Sequence, residues 1–180
     1  IIVTRGSDDH NFTIPARSAL QPNVLVYGKP IDLNAIEKVQ SGVNCITLDD
    51  DRGHHCDILS LNQLNNMMAR AEAQKKNCYD AVFIKDGLLT EASHSNVCIV
   101  KAGVIWTPAT NEHMIRGVTR SLVLTRAAPS AGVTSIDEAS EPVRFEDMMT
   151  AEEVFLTNSQ DGIIPVLLMV TLLAAVRWAM

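Results

Sequence analysis

Two glycine-containing turn dipeptides divide the middle of the chain into short apolar runs, and they restrict the fold more than any other sequence feature. Asp86-Gly87 and Ala102-Gly103 each separate stretches rich in β-branched and apolar residues. Such dipeptides close tight hairpins because glycine adopts positive φ without steric cost. The sequence therefore predicts an antiparallel meander with strands at 81–84, 97–100 and 104–107.

Helical periodicity appears elsewhere in the chain. Residues 57–76 are predicted to form the longest helix, because apolar side chains recur at steps of three and four and would pack into the core. Those side chains are Leu61, Leu64, Met67, Met68 and Ala71. Residues 117–126, with Val118, Leu122 and Val123 on one side, and residues 145–149 predict two more helices. With further strands at 1–4, 23–27, 43–48, 133–136 and 153–157, the fold class is α+β, with mostly antiparallel strands.

Composition limits the possible partners. The 180 residues carry a formal net charge of −6, which argues against nucleic acid because a reader of nucleic acid needs a basic face. The four cysteines form no Cys-x-x-Cys pair and are expected to be reduced in a cytoplasmic protein. Residues 162–176 are uncharged but shorter than the roughly 20 residues of a membrane span. They predict a buried strand followed by an atypical terminal helix rather than a membrane anchor.

Several isolated motifs have structural explanations. Asp49-Asp50-Asp51 is interpreted as a solvated turn. His54-His55-Cys56-Asp57 offers possible zinc ligands, but adjacent side chains on a strand point to opposite faces, so no metal site is predicted. Ser93-His94-Ser95 is interpreted as a bend because no Gly-x-Ser-x-Gly elbow is present. No Gly-x-Gly-x-x-Gly or Walker motif occurs either.

Three polar blocks remain, at 89–96, 115–120 and 155–160. Gly117 allows a ligand to approach the backbone closely, and the amides of Val118 and Thr119 at a helix start suit a phosphate group. Each block alone would be an ordinary turn or cap. Their occurrence together and in this order is more informative.

With these blocks in place, the sequence resembles the fold-type IV pyridoxal-phosphate-dependent aminotransferases. It is closest to the D-amino-acid aminotransferases, with branched-chain aminotransferases and aminodeoxychorismate lyase as relatives. The resemblance covers residues 1 to about 166. The motifs that carry it are Val3-Thr4-Arg5-Gly6, Cys56-Asp57-Ile58-Leu59-Ser60-Leu61-Asn62, the block from Asp86 to Asn96, Ile115-Arg116-Gly117-Val118-Thr119-Arg120, and Glu153-Val154-Phe155-Leu156-Thr157 followed by Pro165-Val166.

The resemblance implies a domain organisation. Residues 1–34 would be a remnant of the small N-terminal domain plus a linker, the polar segment 30–40 being the expected boundary. Residues 35–166 would form the cofactor-binding large domain, a mostly antiparallel β pseudo-barrel with flanking helices, and 167–180 an atypical apolar tail. The start at Ile1, inside a strand-like run, indicates the downstream part of a longer polypeptide whose small domain is largely missing.

The resemblance also implies roles for five residues in binding pyridoxal 5′-phosphate (PLP). Glu91 would hold the pyridine nitrogen and keep it protonated, which makes the ring an electron sink. Val118 and Thr119 would bind the phosphate through their amides, Ser159 would add a hydroxyl, and Ile115 would lie near the ring.

Two positions depart from the family. Leu59 stands where the family has the lysine that forms the Schiff base and moves the proton. His10 and Phe12, in His10-Asn11-Phe12, occupy the places of an Arg-x-His pair that binds the substrate carboxylate in D-amino-acid enzymes. Leucine has no nitrogen, and the bidentate fork of arginine is absent.

The expected function is therefore impaired amino-group transfer from an amino acid to a 2-oxo acid, in a homodimer with noncovalently bound PLP. Two alternatives remain at this point. The chain could be a non-catalytic PLP-binding or protein-interaction homologue. It could also retain activity with a base supplied by His55 or His94.

Overall fold

The computed structural model describes residues 1–7, 21–136 and 142–171. Its contacts divide the chain into two units, Ile1–Leu33 and Asn34–Met180. His10, Phe12 and the predicted terminal helix lie outside the described residues.

The first unit contains a two-stranded antiparallel ribbon. Strand β1 (Ile2–Thr4) pairs with β2 (Asn23–Leu25), with Ile2 opposite Leu25. Gly6 follows at φ 112°, where an added Cβ would lie 2.2 Å from the carbonyl oxygen of Gln21. Only glycine fits this close approach between the chain segments that follow β1 and precede β2.

The second unit is built on an eight-stranded sheet with the order β5-β4-β3-β10-β9-β6-β7-β8. The strands are β3 (Val43–Asp49), β4 (Asp80–Lys85), β5 (Leu88–Ala92), β6 (Asn96–Lys101), β7 (Val104–Trp106), β8 (Thr134–Ile136), β9 (Glu153–Asn158) and β10 (Gly162–Thr171). Strand β3 is parallel to both β4 and β10, and β7 is parallel to β8. The other pairs are antiparallel, so the α+β prediction is confirmed, but the sheet is more mixed than a meander.

The two hairpin turns are confirmed. Asp86 and Gly87 have φ values of 52° and 78°, and Ala102 and Gly103 have 52° and 70°, which are the paired positive values of a type I′ turn. The strand order was predicted wrongly, however. Residues 88–92 form strand β5 rather than a loop, and β6 pairs with β9 instead of β4. The block at 89–96 thus begins on a sheet edge strand.

The longest helix is shorter than predicted. Helix α2 (Leu64–Lys75) begins seven residues after Asp57, because the segment before it contains His55 at φ 65° and turn-type bonds such as Ile58 N–H to the carbonyl of His55. The face of this helix that packs in the core was also predicted wrongly.

The face of α2 that packs on the sheet is made of small residues. Ala69 and Ala73 are buried in a cluster with Ile46 and Phe83, since small side chains let a helix approach a sheet closely. Members of the predicted stripe face solvent instead: Leu61, Leu64 and Met67 are 60–70% exposed, Ala71 is also exposed, and Met68 is half-buried.

The predicted linker at 30–40 contains helix α1 (Leu33–Gln40). Val39 of this helix packs against the main core cluster, a contact that a polar loop would not make. The boundary between the two units nevertheless falls between Leu33 and Asn34, at the start of this helix.

The predicted helix at 117–126 is interrupted. Helix α3 (Val118–Leu122) continues through a π-helical turn, Val123–Ala127, into α4 (Ala128–Ser130). Val123 and Leu124 are buried against the sheet, whereas Val118 and Leu122 are more than half exposed. Consecutive residues of a helix are about 100° apart, so Val123 faces the sheet while Leu122 and Val118 lie on a more exposed side.

Helix α5 (Phe145–Met149) has the predicted bounds. The predicted strand near the end of the chain is β10, which extends through Thr171 and pairs with β3 along 166–171. It is not buried as predicted, because Ile164 alone of its residues is buried and Leu167 and Leu168 are exposed. Across the described residues, no helix is long and apolar enough to cross a bilayer.

Candidate functional site

Six residues that the resemblance assigns to the cofactor or to the lysine position line one cavity of about 330 Å³. We call it the Glu91 cavity. Strand β5, the β6 start, the α3 start and the end of β9 bring its walls together. The six residues are Leu59, Glu91, Ile115, Val118, Thr119 and Ser159.

Glu91 is a buried carboxylate on β5, 5% exposed. Its Oε1 accepts a hydrogen bond from Arg52 Nη1 at 2.5 Å, and its Oε2 accepts one from the backbone amide of Ile115 at 2.9 Å. Burial raises the pKa of Glu91, and the hydrogen bond and charge of Arg52 only partly offset this effect. These hydrogen bonds hold the carboxylate between the segment that carries Arg52 and the segment that carries Ile115.

Arg52 is held by more than Glu91. Its Nε and Nη2 donate to the two oxygens of Asp50 at 2.9 and 2.8 Å, and its guanidinium lies 4.2 Å from the ring centroid of Phe83. Burial alone would raise the pKa of Asp50, but the hydrogen bonds and charge of Arg52 outweigh burial and lower it. The predicted solvated turn is therefore wrong for Asp50, whose side chain is 2% exposed, although Asp49 and Asp51 are exposed.

Asn96 fixes the turn that leads into α3. Its Nδ2 donates to the carbonyl of Ile115 at 2.7 Å, and its Oδ1 accepts from the amide of Gly117 at 3.1 Å. A Cβ on residue 117 would lie 2.0 Å from that oxygen. Glycine is thus required by contact with Asn96 and not by its φ of −63°.

The N-terminal end of α3 borders the cavity. The first amides of a helix have no partner within the helix, so those of Val118 and Thr119 are available to an anion. Arg120, which is fully buried, anchors the helix by donating to Thr107 Oγ1 at 3.2 Å and to the carbonyl of Pro108 at 2.9 Å. The amide pair is therefore held in place from the far side of the helix.

The end of β9 supplies hydroxyl and amide groups. Ser159 is exposed on the cavity wall, and Thr157, also on the wall, is buried. Thr157 Oγ1 has no hydrogen-bond partner among the described residues. A buried hydroxyl without a partner costs stability, so this atom is a reason to expect a polar ligand.

A buried carboxylate lies behind the cavity wall. Asp80, which is fully buried, accepts hydrogen bonds from Ser93 Oγ at 2.5 Å and Ser95 Oγ at 2.9 Å. Ser95 Oγ in turn accepts from Asn158 Nδ2 at 3.1 Å. This network joins the 93–95 bend, which the sequence predicted, to the end of β9.

Leu59 also lies on the wall of the Glu91 cavity, with 74% of its surface exposed. All lysines of the sequence fall within the described residues, and none of them lines this cavity; they are Lys29, Lys38, Lys75, Lys76, Lys85 and Lys101. Of the two alternative bases, His94 lines the cavity and His55 does not. Burial, followed by the charge of Arg70, lowers the pKa of His94.

Sequence reasoning missed Arg52, Asn96 and Thr157. Arg52 follows an acidic cluster and was not considered, although a cation after a strand-ending acid is a possible signal. Asn96 and Thr157 lay inside motifs whose neighbours were assigned roles. The burial that distinguishes them comes from the sheet and has no local signature.

Comparison with known proteins gives the class first. The chain superposes on a hypothetical aminotransferase from Mycobacterium tuberculosis solved with α-ketoglutarate and PMP, with a TM-score of 0.71 at 23% identity over 84% of this chain and 56% of that one. At this identity the likeness shows the fold, which is that of the fold-type IV transaminases.

The family follows from the sequence comparisons. The profile of amino-transferase class IV matches residues 1–169. A D-alanine aminotransferase of Bacillus licheniformis is 37% identical over 164 residues, 91% of this chain and 56% of that enzyme. A second, from Staphylococcus aureus, is 30% identical over 93% of this chain and 57% of the relative. The chain belongs to the class IV aminotransferase family, whose members depend on PLP, and it spans just over half the length of these curated relatives.

Proposed function

We propose that this chain binds PLP noncovalently in the Glu91 cavity and is an aminotransferase relative, for D-amino acids and 2-oxo acids, with impaired turnover. One observation carries the proposal. The five residues that the resemblance links to the cofactor and the residue at the lysine position all line one cavity, and none of the chain's lysines, all within the described residues, does so.

The donor set fits the cofactor. The amides of Val118 and Thr119 suit a phosphate, and the unpartnered Thr157 Oγ1 and the Ser159 hydroxyl add neutral donors beside them. Glu91 offers a carboxylate to a pyridine nitrogen. When bound, PLP would supply an electron sink for amino-acid chemistry.

Leu59 explains why turnover would be impaired. A leucine can neither bond covalently to the cofactor nor accept a proton. Loss of a positioned general base lowers rates on the order of 10²- to 10⁴-fold. His94 lies on the cavity wall, but its lowered pKa makes it a weaker base than an ordinary histidine.

The decisive experiment compares two lysine substitutions. The unaltered chain is expected to bind PLP reversibly, with no adduct retained after borohydride reduction. Leu59→Lys should give a reducible adduct located by peptide mass spectrometry at residue 59. Leu167→Lys, a change at a similarly exposed position that does not line the cavity, should not.

Transamination of D-alanine with 2-oxoglutarate is measured in parallel. Activity of the unaltered chain equal to that of Leu59→Lys, or an adduct on a native lysine, would contradict the proposed impairment. Absence of PLP binding in both proteins would contradict the proposed cofactor site.

The role of Glu91 has its own test. Glu91→Gln removes the charge with little change of shape, and it should weaken PLP binding and alter the absorbance of the bound cofactor. Glu153→Gln makes the same chemical change at an exposed position of β9 and should leave both unchanged. Equal effects of the two variants would show that Glu91 does not contact the cofactor.

We further propose that the chain forms a homodimer through apolar residues that it leaves exposed. Leu64 and Met67 on α2, together with Ile58 and Leu61 before it, recur at intervals of three residues and are 60–70% exposed. We infer that they share one apolar surface, a feature that marks an interaction site. This surface also favours the second candidate function, that of a protein-interaction homologue. Sedimentation should show a dimer that Met67→Glu dissociates and Gln74→Glu, elsewhere on α2, does not; a monomeric unaltered chain would refute the proposed dimer.

We also propose a cytoplasmic location. The four free cysteines support it, because thiols stay reduced in that compartment.

A further inference from the structure

Two loops beside the Glu91 cavity are joined by hydrogen bonds to backbone carbonyls. One follows β3 and carries His54; the other follows β7 and carries Glu112 and His113. The amide of Cys56 donates to the carbonyl of Glu112 at 2.8 Å, and Arg52 Nη2 donates to the carbonyl of His113 at 3.0 Å. These bonds keep the loops together without using the three side chains.

The side chains of His54, Glu112 and His113 converge on one point. A ring nitrogen of each histidine and a carboxylate oxygen of Glu112 all lie within 4.8 Å of one another, and His113 Nε2 is 3.7 Å from Glu112 Oε1. The two imidazole centroids are 5.8 Å apart. His113 is half-buried, whereas His54 and Glu112 are exposed and can rotate.

The ligand atoms lie farther apart than in a tetrahedral metal site, by no more than about 1.5 Å. Bonds of about 2.0–2.1 Å from zinc to nitrogen or oxygen place neighbouring ligand atoms about 3.3 Å apart. Rotation of the exposed His54 and Glu112 side chains can bring the three ligand atoms to that separation. Two imidazoles with one carboxylate suit zinc and similar transition metals, whereas magnesium and calcium prefer oxygen ligands alone.

We propose that His54, Glu112 and His113 bind a divalent transition metal of the zinc class, with water completing the coordination. The sequence interpretation weighed His54 only with its neighbours and therefore found no site. The ligand partners come instead from the second loop. A bound metal would also link the segments that contain Arg52 and Ile115, the two residues that donate hydrogen bonds to Glu91.

The test uses the full chain after treatment with a chelator, and it does not depend on PLP. Calorimetric titration with ZnCl₂ should show one ion per chain, and the same ion should raise the melting temperature, because a ligand that binds only the folded state stabilises it. MgCl₂ at the same concentration should do neither. His54→Ala and His113→Ala should each weaken zinc binding at least about tenfold, since loss even of groups that support a ligand costs that much.

Two controls separate this site from its surroundings. His55→Ala removes the adjacent exposed histidine, and Cys56→Ser removes the nearest thiol; both should bind zinc as the unaltered chain does. Glu112→Gln, at an exposed position, provides a ligand variant that should fold normally and bind more weakly. The proposal is overturned if the unaltered chain fails to bind zinc, if His55→Ala or Cys56→Ser weakens binding as much as His54→Ala, or if magnesium gives the same stabilisation.

Discussion

The contact between Gly117 and Asn96 can be tested by a single methyl group. In Gly117→Ala the new Cβ would lie 2.0 Å from Asn96 Oδ1, whereas real Cβ atoms do not come within 3.0 Å of such an atom, so the two groups must separate by about 1 Å. The backbone is not the obstacle, because the φ of −63° suits alanine. Separation breaks the 3.1 Å hydrogen bond from the Gly117 amide to Asn96.

The expected cost follows from three contributions. Overpacking costs about 1–3 kcal/mol, and a buried polar group left without its partner costs about 1–3 kcal/mol; relief of one reduces the other, so they do not add fully. The lower entropy of the unfolded chain returns about 0.4–1 kcal/mol. We expect a net loss of about 2 kcal/mol in the free energy of unfolding, or about 4–8 °C in melting temperature.

Urea unfolding followed by circular dichroism measures this loss. Gly53→Ala is the matched control, because a Cβ there meets nothing within 4 Å, and it should be neutral or stabilise the fold by up to about 1 kcal/mol. In an Asn96→Ala background the clashing oxygen is gone, so Gly117→Ala should cost less than about 0.5 kcal/mol more. If the costs of Asn96→Ala and Gly117→Ala simply add, the contact does not determine the residue at 117.

Three other predictions concern the packing and charge of the second unit. Ala73→Leu, on the buried face of α2, should cost about 1–3 kcal/mol, while Ala71→Leu, the same change at an exposed position of α2, should change the free energy of unfolding by less than about 0.5 kcal/mol; similar losses would contradict the observed orientation. Asp80→Ala leaves two buried hydroxyls without an acceptor and should cost about 3 kcal/mol, more than Asp80→Asn, as thermal unfolding would show. Because Arg52 lowers the pKa of Asp50 in the folded state, its contribution is present above the unfolded pKa of about 3.9 and is lost as pH falls through the folded value. The stability difference between the unaltered chain and Asp50→Asn should therefore shrink below about pH 4, and a constant difference in urea titrations would refute this linkage.

Local chemistry made part of the fold predictable. The turns at Asp86-Gly87 and Ala102-Gly103 depend on two residues each, and helix α5 is recognisable within five. The buried face of α2 was not predictable, because alanines and larger apolar residues recur along the same helix, and the choice depends on a sheet assembled from distant segments. Burial of Asp50 depends likewise on Arg52, which is in turn held by a carboxylate 39 residues away.

The candidate site has a buried part, which the fold requires, and an exposed part, which it does not. Glu91 and Asn96 are buried and hydrogen-bonded, so truncating either side chain would destabilise the fold itself. Leu59 is 74% exposed, and exchanging a lysine for leucine at such a position costs the fold little. The requirement for stability therefore preserves the cavity whether or not the chain catalyses a reaction. It follows that ligand binding and turnover need separate tests, which the Glu91→Gln and Leu59→Lys comparisons provide.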